Sequence, residues 1–230
     1  MKRIGLIGGM SFESTSVYYE RLNRLANAKA GGFTSAELLL HSVDFAPIVA
    51  MQKDSRWQEA GERLADIAEN LEGAGADLVL LCTNTMHKVS SQIRARLSIP
   101  FLDIIDCTAD EIVRRGYRRP LLLATNYTMT DGFYQDHMRK RGIEIVTPAV
   151  EDRLRVHSII FDELCAGEIL DQSREILFHI IDRASHEGAD CVILGCTEIC
   201  LILDPDRLPL PGLDTTAIHC RAAIDAAFAG

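Results

Sequence analysis

Short apolar runs alternate with longer stretches in which apolar residues recur every three or four positions. Ile4–Gly8, Leu78–Leu81, Leu121–Ala124 and Cys191–Leu194 are continuous apolar or small-residue runs of strand length, and Phe101–Ile105 is one interrupted only by Asp103. Runs this short, bounded by polar residues, read as buried strands of a parallel sheet. Trp57–Glu72 and Gln172–Glu187 instead carry apolar residues at helical spacing, and glycine closes each: Gly73 or Gly75 in the first case, Gly188 in the second. Glycine ends helices because it enters the left-handed region without a Cβ clash. The alternation predicts an α/β fold, with mostly parallel sheets flanked by helices in three layers.

The pattern occurs twice. Gly75-Ala76-Asp77-Leu78-Val79-Leu80-Leu81-Cys82-Thr83-Asn84-Thr85 reappears 113 positions later as Gly188-Ala189-Asp190-Cys191-Val192-Ile193-Leu194-Gly195-Cys196-Thr197-Glu198. Laid in register, the copies set Thr83 opposite Cys196, each just past a strand. The run from Ile4, with Tyr18-Tyr19 on the helix after it, pairs with the run from Leu121 and its Phe133-Tyr134. Ile99–Ala109 pairs with Leu208–Ala217 across a one-residue gap. Three blocks in one order predict two pseudo-symmetric α/β domains, residues 1–100 plus 210–230 and residues 101–209. The last helix, Thr215 to Phe228, is expected to return over the first half.

Composition narrows the function classes. The chain has 230 residues, of which 47% are hydrophobic and 25% charged, the balance of a globular protein. A net charge of −9 argues against nucleic acid and anionic membrane surfaces as partners. No stretch approaches the roughly 20 apolar residues of a membrane span, and the apolar start is too short for a signal peptide. A cytoplasmic location is therefore expected. The seven cysteines are odd in number and lack C-x-x-C pairing, so neither a disulfide framework nor a metal site is expected.

Four segments fall at strand ends where helices begin: Met10-Ser11, Thr83-Asn84-Thr85, Thr125-Asn126 and Cys196-Thr197-Glu198. Free N–H groups and hydroxyls at such places suit a carboxylate, although helix capping alone also explains Ser, Thr and Asn there. A cysteine near a helix N-terminus has a lowered pKa, so Cys196 is expected to offer a thiolate near neutral pH. Thr83 is a far weaker acid, and His87 or Glu198 is the candidate to assist it. A duplicated frame with one proton-transfer group per copy suits a reaction that removes a proton from one face of a carbon and returns it on the other. Gly5-x-x-Gly8-Gly9 does not fit a dinucleotide fingerprint, no Walker A pattern is present, and no lysine is placed for a Schiff base; no cofactor is expected.

Cys82-Thr83-Asn84-Thr85-Met86-His87, Gly195-Cys196-Thr197-Glu198 and the opening Ile4-Gly5-Leu6-Ile7-Gly8-Gly9-Met10-Ser11 resemble the cofactor-independent aspartate/glutamate racemases of the Asp/Glu/hydantoin racemase superfamily. The resemblance runs the length of the chain. It implies an isomerase with two pseudo-symmetric domains, a small amino-acid substrate held between them, and catalysis by two bases, here Thr83 and Cys196. It further implies Met10, Gln52, Thr83, Asn84, Thr85 and Thr197 as substrate contacts. Most members of the family carry cysteine where Thr83 stands, and the Thr/Cys arrangement resembles a subgroup of bacterial broad-specificity racemases preferring L-glutamate or L-aspartate. A substrate-binding lysine of the two-cysteine aspartate racemases has no counterpart if Leu164-Cys165-Ala166-Gly167 is the matching segment. Alternatives are a racemase, isomerase or decarboxylase of the superfamily acting on another substrate, such as a hydantoin, or a two-lobed amino-acid sensor. Related racemases often form homodimers; the sequence does not fix the assembly state.

Overall fold

Two sheets, each wholly parallel, organise the computed structural model, which describes residues 1–229. The chain divides into two units: residues 1–104 with the segment from His219 onward, and residues 105–218.

In unit 1 the strands β1 (Ile4–Gly8), β2 (Leu38–Ser42), β3 (Leu78–Leu81) and β4 (Phe101–Leu102) stand in the order β2-β1-β3-β4. The helices between them are α1 (Phe12–Ala30), α2 (Phe45–Lys53), α3 (Trp57–Gly73) and α4 (Ser90–Arg96). One core joins Ile7, Val79 and Leu81 to Leu64, Ala68 and Leu71 of α3. The other joins Ile4, Leu6, Leu78 and Leu80 to Tyr18 and Leu22 of α1 and to Cys220, Ala223, Ile224 and Ala227. A sheet buried on both faces explains why β1 and β3 read as unbroken apolar runs.

Unit 2 has β5 (Pro120–Leu123), β6 (Cys191–Leu194) and β7 (Gly212–Asp214), in that order. Its helices are α5 (Ile104–Arg115), α6 (Asn126–Thr130), α7 (Phe133–Arg139), α8 (Val150–Ser158), α9 (Asp171–His186) and α10 (Ile199–Ile202); α11 (Thr215–Phe228) runs from this unit into the residues of unit 1. After α8 the helix widens into a π turn over Ile159–Glu163, tightens into a 3-10 turn over Leu164–Ala166 and stops at Gly167, whose φ is +80°.

The duplication extends to individual hydrogen bonds. β3 lies between β1 and β4 as β6 lies between β5 and β7. The Arg3 N–H donates to Asp77 Oδ2 at 2.6 Å, and the Arg119 N–H to Asp190 Oδ2 at 3.0 Å. Cys82 N–H donates to Ile7 O at 2.9 Å, and Gly195 N–H to Leu123 O at 2.7 Å. Gly75 and Gly188, the expected helix stops, both have positive φ, +94° and +89°.

Two details differ from the sequence reading. Residues 101–104 group with unit 1 and residues 210–218 with unit 2, whereas the expected boundaries fell at 100 and 209. The reason is strand pairing: β4 bonds to β3 and β7 to β6, so each sheet is closed by the strand that ends its own repeat. The run Phe101–Ile105 is also mostly not strand, because the chain turns into α5 at Ile104.

Gly9 lets the chain turn between β1 and α1. Its φ is +89°, and a Cβ there would lie 2.2 Å from the Val43 carbonyl oxygen. Left-handed strain and a backbone clash that no rotamer relieves act together, so Gly9→Ala is expected to cost about 3 kcal/mol or more. Urea unfolding of the two proteins measures this directly; a loss below about 1 kcal/mol would show that the turn adapts. No described helix is long and apolar enough to cross a membrane.

Candidate functional site

In unit 1 the expected residues gather at the carboxyl ends of β1 and β3. Met10 is buried at the exit of β1, and Ser11 caps α1 by accepting from the Ser14 N–H at 3.2 Å. Thr83 is half-buried immediately beyond β3, while Asn84 and Thr85 are buried where a 3-10 turn, Thr85–Val89, begins. Gln52, near the end of α2, is buried with its amide donating to Met86 Sδ at 3.0 Å, and Met86 belongs to that 3-10 turn. Gln52 thus reaches the 3-10 turn that follows Thr83 and Asn84. Arg56 is exposed and paired with Glu59 at 2.8 Å, as a solvated helix start would be.

His87 is not at the surface. Its Nδ1 lies 2.7 Å from the Thr83 carbonyl, which can only accept, so Nδ1 donates. The Ile104 N–H then donates to Nε2 at 3.2 Å, and the two contacts define a neutral tautomer. His87 therefore holds the backbone of Thr83, where the sequence suggested help to its hydroxyl. Behind it lies His219, whose Nε2 donates to Leu102 O while Nδ1 accepts from the Tyr18 hydroxyl, both at 2.9 Å. Burial, and then the proximity of His87, push the His219 pKa down to about 3. This buried chain ties the end of β3 to the turn after β4. Its members lie far apart in sequence, so spacing gave no signal for it.

In unit 2, Cys196 and Thr197 follow β6. Cys196 is half-buried, and its Sγ donates to Glu198 Oε2 at 2.8 Å. Thr197 is buried with its hydroxyl 3.5 Å from that of Thr216. Thr125 caps α6 at the end of β5, and the next backbone N–H, of Asn126, donates to His157 Nδ1 at 3.3 Å. The sequence reading did not single out His157. The expectation of a lowered thiol pKa at Cys196 is overturned: burial first, and then the charge of Glu198, raise it well above its ordinary value. The helix that follows, α10, is a single turn, too short for its dipole to oppose those effects. Cys196 is therefore a thiol at neutral pH. Cys165, on the 3-10 turn Leu164–Ala166, is pushed up to about 12 by partial burial and then by Glu198, and it is neutral too.

Thr83 and Cys196 thus occupy equivalent places beyond β3 and β6, the strands flanked alike in β1-β3-β4 and β5-β6-β7, each one residue past the corresponding hydrogen bond of Cys82 or Gly195. Residues 7–223 match the profile described as Asp/Glu/hydantoin racemase. The chain belongs to that racemase family. Racemases are isomerases, and this family member shares its fold with solved relatives. A crystal structure from Yersinia pestis, described provisionally as an Asp/Glu racemase, is 44% identical over 99% of both chains with a TM-score of 0.93. An aspartate racemase homologue from Pyrococcus horikoshii is 35% identical, again over 99% of both chains, with a TM-score of 0.87. The broad specificity amino-acid racemase RacX of Bacillus subtilis is 23% identical over 96% of each chain. Family membership supplies the reaction class.

Proposed function

We propose that this racemase acts on L-glutamate and L-aspartate without a cofactor, exchanging the α-proton between two protein groups, Thr83 and Cys196. The observation that carries the reading is their equivalence. The position two residues past the central strand, in the corresponding arrangements β1-β3-β4 and β5-β6-β7, bears a hydroxyl in one case and a thiol in the other. A racemase must treat the two faces of one carbon alike in geometry, and duplicated strand ends supply two such positions. One group takes the α-hydrogen as its C–H bond breaks, leaving a carbanion whose charge spreads into the carboxylate. The other gives its own hydrogen to the opposite face. Met10, Gln52, Asn84, Thr85 and Thr197 are the proposed substrate contacts. Helix N-terminal N–H groups and hydroxyls at the strand ends are suited to meet the negative charge that develops. Names of relatives support this substrate class: one is an aspartate racemase homologue, another a broad specificity amino-acid racemase.

The test is incubation of the protein with individual L-amino acids in deuterium oxide. Loss of the α-proton NMR signal is expected for glutamate and aspartate. Exchange confined to other amino acids would overturn the substrate assignment, and exchange of none would overturn the reaction.

A further inference from the structure

Glu198 is the most unusual neighbour of Cys196. It is only 6% exposed, yet it stands at the N-cap position of α10 without its side chain capping that helix. Its carboxylate turns instead to the cysteine two residues earlier, accepting the thiol hydrogen at 2.8 Å. Local capping, the commonplace use of an acidic residue there, therefore does not explain its orientation.

We propose that Glu198 is the positioning residue of Cys196, fixing the direction of the S–H bond and making the thiolate a stronger base once the hydrogen has left. In one direction the S–H bond breaks, its hydrogen passes to the substrate carbanion, whose electron pair forms the new C–H bond, and a thiolate remains. In the other direction that thiolate takes the α-hydrogen from carbon, S–H reforms, and the hydrogen again points at Glu198 Oε2. A thiolate facing a carboxylate is destabilised by like charge, which brings its basicity closer to that needed for a weakly acidic C–H. The upward displacement of the Cys196 pKa by burial and by Glu198 agrees with this. The groups that bear on the sulfur within the unit are Glu198 and, from the Leu164–Ala166 turn, Cys165.

The inference rests on Cys196 being a proton-transfer group, and its test is kept separate from turnover. Full-length protein is alkylated with iodoacetamide across neutral to alkaline pH, and the Cys196 and Cys165 peptides are quantified separately by mass spectrometry. In Glu198→Gln the Cys196 midpoint is expected to fall by at least one unit, so that alkylation at mildly alkaline pH speeds up about tenfold. A midpoint equal to that of the unaltered chain would overturn the proposal. If the amide variant does not fold, Glu198→Asp withdraws the carboxylate by one methylene. Its midpoint is then expected to move in the same direction, and an unmoved one overturns the proposal equally. Deuterium exchange by the unaltered chain reports on the racemase reading, so failure of either is recognised independently.

Discussion

Cys196→Ser is expected to lose α-proton exchange with L-glutamate and L-aspartate by roughly a thousandfold, the middle of the range for removing a general acid or base. Serine keeps the size of the side chain and can still donate to Glu198, so the fold is expected to survive, which circular dichroism and thermal melting check. The change is chemical: an alcohol is a far weaker acid than a thiol, and its conjugate base does not accumulate beside a carboxylate. Thr83 is already an alcohol, so the unaltered enzyme is expected to differ in kcat between its two directions, with KM differing in proportion because enantiomers are equal in free energy, and Thr83→Cys should bring the two kcat values closer together. Initial rates from the L- and D-enantiomers, followed by chiral chromatography, give both numbers. Undiminished exchange in Cys196→Ser would remove the thiol from the mechanism.

Stability is expected to fall as pH is lowered from about 6.5. His219 titrates at 6.5 when unfolded and at about 3 when folded, because its ring is buried and lies close to His87, which together outweigh the upward pull of the Leu102 hydrogen bond. Between those values the unfolded chain binds the extra proton. Stability is therefore whole above pH 6.5 and drains by up to about 1.4 kcal/mol for each unit of acidification. His157, also lowered by burial, adds to the slope in the same window. Glu111 acts later: its pKa is held at about 2, chiefly by the hydrogen bond from Arg114, so its contribution is lost only below 4.5. Urea midpoints between pH 6.5 and 5 isolate the histidines. His219→Gln should be less stable than the unaltered protein at neutral pH and show a shallower slope; equal slopes would mean that His219 is protonated in the native state.

Much of the fold was legible because its signals are local. Four-residue apolar runs buried on both faces mark β3 and β6, and Gly75 and Gly188 stop the helices before them. Repetition identified Thr83 and Cys196 as equivalent without any view of the sheets. What the chain did not disclose depends on non-local contacts. The clasp of His87 on the Thr83 carbonyl needs Ile104, and the hydrogen bond to His219 Nδ1 needs Tyr18, 201 positions away. The Cys196 pKa was misread for a related reason. A helix start can be seen in sequence, but the extent of burial around a sulfur and the direction in which Glu198 points cannot. Glu198 itself was visible, two residues after the cysteine, as a candidate partner for Thr83; the structure turns it towards Cys196 instead.

Unit 1 is discontinuous, and this has a consequence for synthesis. Cys220, Ala223, Ile224 and Ala227 of α11 complete one of its two apolar cores, yet they are translated after the whole of unit 2. A nascent chain that has emerged only as far as β4 exposes Ile4, Leu6, Leu78 and Leu80 on a partly uncovered face. The first sheet made is thus the last to be finished, and its bare side is where a ribosome-associated chaperone would find a client.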